Sequence, residues 1–166
     1  DKWGVKTDHI AWGGDRLGVY YLEKGASQRP SKIIYDRKHT AISEASTTDF
    51  DWDEIFADAA WFHFTGITVA LSENLRQICE QACIAAKRNG VKVSCDLNYR
   101  KSLWTTEEAQ RAMKPLMQYV DVLIANEEDS EKVLGVKADN TDITQGKLSL
   151  EGYSSLAANL TEKYGF

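Results

Sequence analysis

Apolar positions follow one rhythm up to residue 59 and another after it. Residues 18–24 (Gly-Val-Tyr-Tyr-Leu-Glu-Lys) and 32–37 (Lys-Ile-Ile-Tyr-Asp-Arg) are rich in β-branched and aromatic side chains, which predicts two strands. Gly25 to Ser31 joins them, so an antiparallel hairpin is expected. Residues 38–50 are polar and irregular, and Asp51 to Ala59 reads as a short helix.

Trp61-Phe62-His63-Phe64 is a short apolar strand closed by Thr65-Gly66. Ser72 can cap a helix running to Asn89. Along it Leu75, Ile78, Cys79, Ala82, Cys83 and Ala86 recur at i, i+3, i+4 spacing, which buries one face. Gly90 suits the helix end. Val91 to Cys95 is the next strand. Thr105 and Glu108 have the spacing of a capping box, and Ala109, Ala112, Met113, Leu116 and Met117 mark the inner face of the helix that follows. Pro115 should kink or divide it. Val120 to Ala125 is a third strand. Asn126 caps a helix ending near Gly135, and a polar stretch from Lys137 to Gly146 precedes a last helix from about Ser149 to Tyr164.

Strand–helix alternation from residue 61 onward predicts a parallel sheet with right-handed crossovers. In such sheets ligands sit beyond the carboxyl ends of the strands. Those ends are Gly66, the segment Asp96 to Arg100, and Asn126.

Composition narrows the class. With 166 residues, 43% apolar and 27% charged, the chain has the make-up of a globular domain with a real core. The formal net charge of −5 argues against a general nucleic-acid partner. No apolar window has the length of a membrane span, and no signal peptide opens the chain. Three cysteines, Cys79, Cys83 and Cys95, lie on apolar faces and read as reduced thiols of a cytoplasmic protein. The first residue is Asp, and the last, Phe166, follows a helix where an α/β chain would feed a strand, so a piece of a longer protein is expected.

Candidate chemistry concentrates in Asp96-Leu97-Asn98-Tyr99-Arg100, where a carboxylate, an amide, a phenol and a guanidinium leave a buried strand. Arg100 is the leading candidate, because a guanidinium holds carboxylate or phosphate bidentately. Asp96 would orient Arg100, bind a metal through water, or cap the turn. Asn126 is an N-cap, and the acids Glu127, Glu128 and Asp129 behind it fit either the helix dipole or a metal–phosphate site. Tyr35 and Arg37 share one strand face, as a lid over an anionic or polyhydroxy ligand would. Tyr20 is a hairpin packing residue with a possible ligand contact. His63 reads as a satisfied core histidine. Gly13-Gly14-Asp15 is a plain turn. No phosphate-binding P-loop, dinucleotide fingerprint or nucleophile elbow is present.

Together, Gly66-Ile67-Thr68-Val69-Ala70-Leu71-Ser72, Asp96-Leu97-Asn98-Tyr99-Arg100 with Leu103-Trp104, and Asn126-Glu127-Glu128-Asp129 resemble the ribokinase-like (PfkB-type) carbohydrate kinases. Within that family, Tyr99, Leu103-Trp104 and the Tyr35/Arg37 pair resemble the kinases of 2-keto-3-deoxygluconate. The resemblance implies a parallel three-layer α/β core, here partial (61–166), with an antiparallel β-hairpin lid (18–37), the whole of 1–166 being one incomplete kinase domain. It implies phosphoryl transfer from ATP with Mg²⁺ to a sugar acid. Tyr20, Tyr35 and Arg37 would contact that acid, Arg37 at its carboxylate. Arg100 would lie between substrate and phosphoryl group as the catalytic residue. Asn98, Tyr99, Arg100 and Asn126 would face the nucleotide, and Asp129, which stands where the family has Glu, would serve the metal. A homo-oligomer formed through the lid is also implied, with neither nucleic acid nor membrane as partner. The family's Gly-Ala-Gly-Asp turn, source of the catalytic base, is absent from these 166 residues, so the chain alone is expected to be inactive. The alternatives are a fructokinase, a 5-dehydro-2-deoxygluconokinase, or a non-catalytic α/β binding module.

Overall fold

The computed structural model describes residues 2–138 and 150–166. They form two compact units, divided between Phe50 and Asp51.

In the first unit, β1 (Val19–Glu23) and β2 (Lys32–Asp36) pair antiparallel, with Tyr20 opposite Tyr35 and Leu22 opposite Ile33. Alternation puts Tyr20, Leu22, Ile33 and Tyr35 on one face and Val19, Tyr21 and Ile34 on the other. Both faces are exposed. Arg16 braces the base of the hairpin: its guanidinium donates to Asp36 Oδ2 at 3.0 Å and to the Lys38 carbonyl at 2.7 Å. Gly14 has φ +68 and sits so close to the Ala41 backbone that a side chain there would collide with it, which supports reading Gly13-Gly14 as a turn.

In the second unit, β3 (Trp61–Thr65), β4 (Lys92–Asp96) and β5 (Val122–Ile124) form a parallel sheet in the order β3-β4-β5. Its helices are α1 (Trp52–Phe56), α2 (Gly66–Leu71), α3 (Glu73–Arg88), α4 (Thr106–Met113), α5 (Glu127–Asp129) and α6 (Leu150–Tyr164). The local signals act as expected. Ser72 Oγ accepts the Leu75 N–H, and Thr105 and Glu108 form a complete capping box. Gly90 and Gly135 take left-handed conformations at helix ends. Pro115 ends α4 by opening a 3₁₀ turn, Lys114–Tyr119, since proline removes a helical donor. Leu75, Ile78, Cys79, Ala82, Cys83 and Ala86 of α3 are all buried, and Val93, Cys95 and Leu97 are fully so. The three thiols are free, and burial pushes Cys79 and Cys83 up to about 12.

Two expectations are corrected, and one segment that the sequence left without an element is filled: Gly66 to Leu71 is a helix, although Ile67, Thr68 and Val69 have strand-like side chains. Thr65 caps it, and packing against α3 outweighs propensity. His63 is not a core residue. It lies exposed on a sheet face with Trp61, Val122 and Ile124, and pairs through Nδ1 with Ser94 Oγ at 2.8 Å. The helix predicted over 51–59 spans only Trp52–Phe56. The predicted start of the last helix at Ser149 and most of the polar stretch to Gly146 lie outside the described residues. No described helix is long and apolar enough to cross a membrane.

Candidate active site

The three strand ends named from the sequence meet. β4 ends at Asp96, and the chain runs on as Leu97-Asn98-Tyr99-Arg100. Leu97 donates its N–H to the Ile124 carbonyl at the end of β5, at 3.0 Å. On the other side Gly66 presses against Leu97. A Cβ there would stand 3.2 Å from the Leu97 carbonyl carbon, and the carbonyl oxygen is nearer still. This glycine is required by close approach of two backbones, and its φ is not in the left-handed region.

Asn98 turns the chain. It adopts φ +41, a conformation that Asn tolerates better than most residues. Its N–H donates to Asp96 Oδ1 at 3.1 Å, and its side-chain Nδ2 donates to Thr65 Oγ1 at 3.3 Å. Of the roles weighed for Asp96, the structure shows turn capping. Thr65 was not singled out from the sequence. Its signal was a threonine at a strand end directly before the glycine.

Tyr99 is held at three points. Its N–H donates to Asp129 Oδ1 at 3.0 Å, its phenol donates to the Trp104 carbonyl at 3.3 Å, and its own carbonyl accepts from Arg100 Nη1 at 2.8 Å. Arg100 is exposed, and that bond is the only one its guanidinium makes among the described residues. The guanidinium therefore retains donors for an anion.

Asn126 Oδ1 accepts the Asp129 N–H at 2.7 Å, so its expected capping role holds. Asp129 is 8% exposed. Burial pushes its carboxyl up. The Tyr99 and Asn126 backbone N–H groups and the Arg100 charge oppose this, while Asp96 adds to it. Among the described residues no three or more His, Cys, Asp or Glu side chains group together as a metal cage. The Asp129 carboxylate faces the backbone N–H groups of Tyr99 and Asn126.

On the hairpin, the sequence candidates Tyr20, Tyr35 and Arg37 gather on one face. The Tyr20 and Tyr35 rings lie 6.2 Å apart, and the Arg37 guanidinium stacks 4.1 Å over Tyr35. The stack pre-orders a cation beside two phenols.

A parallel sheet with a braced polar loop and an exposed guanidinium at its strand ends defines an α/β protein with its candidate site beyond the carboxyl ends of the strands. The comparisons make this specific: residues 1–152 match the pfkB family carbohydrate kinase profile, and the chain belongs to that family. It is 57% identical to the crystal structure of 2-dehydro-3-deoxygluconokinase from Thermotoga maritima, with a TM-score of 0.91 over 99% of this chain and 48% of that one. It is 40% identical to a 2-dehydro-3-deoxygalactonokinase of Haloferax volcanii, over 79% of this chain and 41% of the relative. It is 33% identical to a 2-dehydro-3-deoxygluconokinase of Thermoproteus tenax, over 81% and 41%. The chain thus spans less than half the length of each.

Proposed function

We propose that this chain is part of a kinase that transfers the ATP γ-phosphoryl group to a hydroxyl of 2-keto-3-deoxygluconate. The observation that carries the reading is the Arg100 loop. Six hydrogen bonds and one backbone contact tie residues 97–100 to the residues around them, yet the guanidinium at the tip stays exposed. Rigid placement of a cation suits a reaction in which negative charge is spread over a moving phosphoryl group.

In this reading a sugar hydroxyl oxygen bonds to phosphorus as the bond to the departing ADP breaks. Arg100 faces the charge that develops between the two. Tyr20 and Tyr35 offer phenols to the sugar hydroxyls, and Arg37 offers a cation to the carboxylate. On the nucleotide side the proposed contacts are Asn98, Tyr99, Arg100 and Asn126. Asn98 commits one hydrogen of its side-chain amide to Thr65, which leaves the second hydrogen and the carbonyl oxygen. No described residue is assigned as the base that takes the hydroxyl proton, and in this reading the base comes from elsewhere in the whole kinase. The chain alone should show no ATP-dependent phosphorylation above blank, and turnover by it would overturn that point.

The 40% relative gives weight to a second substrate, the galactonate epimer. Assaying the whole gene product against both epimers, fructose and ribose separates the readings. The acids should be phosphorylated in preference to the neutral sugars, and preference for a neutral sugar would sink the proposal. We also propose a homo-oligomer through the hairpin, in the cytoplasm. A two-stranded hairpin with exposed Leu22, Ile33 and Ile34 is marginal by itself. Light scattering that gave a monomer at micromolar concentration would contradict this.

A further inference from the structure

Asp129 stands where a metal-serving carboxylate is expected, but its geometry points elsewhere. Its carboxylate is buried beneath the site loop. Oδ1 accepts the Tyr99 N–H, thirty residues away in the chain, at 3.0 Å. The Asn126 N–H also stabilises the charged form, as at the third residue of a capping box. The side chain therefore ties the start of α5 to the loop that leaves β4. The Tyr99 residue it holds has its own carbonyl bonded to the Arg100 guanidinium at 2.8 Å. One chain of contacts thus runs from Asn126 through Asp129 and the Tyr99 backbone to Arg100.

We propose that Asp129 is a positioning residue, which clamps the Tyr99 backbone and so sets the place of the Arg100 guanidinium. The inference rests on the kinase reading only for what Arg100 does. The clamp itself is a property of the fold. A shorter carboxylate than Glu suits it, because the Tyr99 N–H lies within reach of Oδ1 while the side chain stays buried. Misplacing a reacting group by about 1 Å can cost on the order of 100-fold in rate.

The test uses Asp129→Ala and Asp129→Asn in the whole gene product, with three readouts. Hydrogen–deuterium exchange of the peptide covering residues 97–103 is read without substrate, so it stands even if the kinase reading fails. In Asp129→Ala that peptide should exchange at least tenfold faster. kcat should fall roughly 10- to 100-fold, with the Mg²⁺ concentration for half-maximal rate within about threefold of wild type. Asp129→Asn keeps an oxygen for the Tyr99 N–H and should recover most of the lost protection and much of the lost kcat. Unchanged protection in Asp129→Ala overturns the proposal whatever the activity. So does an Asp129→Asn protein whose Mg²⁺ requirement rises tenfold or more while the loop stays protected, a result that gives the residue to the metal. Asp129→Asn alone decides the matter should Asp129→Ala not fold.

Discussion

Replacing Gly66 with Ala sets two effects of opposite sign against each other. Gly66 opens α2, where Ala is the better helix former by as much as about 1 kcal/mol. Propensity alone therefore predicts a neutral or stabilised protein. The structure predicts the reverse. The added Cβ would stand 3.2 Å from the Leu97 carbonyl carbon and 3.7 Å from its Cα, with the oxygen inside any real Cβ contact. Relief needs the Leu97 carbonyl to retreat by roughly 1 Å, since neither backbone has a softer way to yield. Overpacking of this kind costs about 1–3 kcal/mol and outweighs the propensity gain. The displaced residue is the first of the loop that carries Arg100, so kcat should fall on the order of 100-fold. The assay pairs thermal unfolding with steady-state phosphorylation of 2-keto-3-deoxygluconate by the whole gene product. A Gly66→Ala enzyme with wild-type melting temperature and kcat would refute the reasoning.

Arg37→Ala should raise KM for acidic sugars by roughly tenfold or more, as loss of a charge-assisted pair would, and leave KM for neutral sugars nearly unchanged. An equal effect on both would remove the carboxylate role. Asp121 should make stability depend on acid. Burial works to raise its carboxyl, but hydrogen bonds from Lys87, the Val93 N–H and Lys92 prevail and hold it at about 2. Its folded value is depressed, so the contribution is full above the ordinary carboxylate range near pH 4 and is lost as pH falls toward 2. Asp121→Asn should cost about 1–2 kcal/mol at pH 7 after screening of its exposed lysine partners. The difference should vanish near pH 2, and a pH-independent difference in urea unfolding would contradict the assignment.

Much of this was legible because it is local. Ser72, the Thr105–Glu108 pair, Asn126, Gly90 and Gly135 act within four residues of themselves, and each does what its position predicts. The period of α3 named its buried face apart from Ala85. The strand-end rule gathers Gly66, the Asp96–Arg100 loop and Asn126 from the sequence alone. Other features failed for a physical reason. The helix Gly66–Leu71 has β-branched side chains, and tertiary packing decides it. His63 looked internal because its neighbours Phe62 and Phe64 are apolar, but in a strand alternate residues face opposite ways. The bonds from Asp129 to Tyr99 and from Asn98 to Thr65 join residues about thirty positions apart, and no local pattern announces them. That is why the acid behind Asn126 could be read only as a choice between helix dipole and metal.

The central claim is that Arg100, fixed at the end of β4, serves phosphoryl transfer to a 2-keto-3-deoxy sugar acid. Its most direct test is kcat of the whole gene product with 2-keto-3-deoxygluconate and ATP, wild type against Arg100→Ala. The account predicts ATP-dependent product with the wild type and a loss of roughly 3–4 kcal/mol of transition-state stabilisation, about 100- to 1,000-fold in kcat, in the variant. An Arg100→Ala enzyme turning over at the wild-type rate would contradict it.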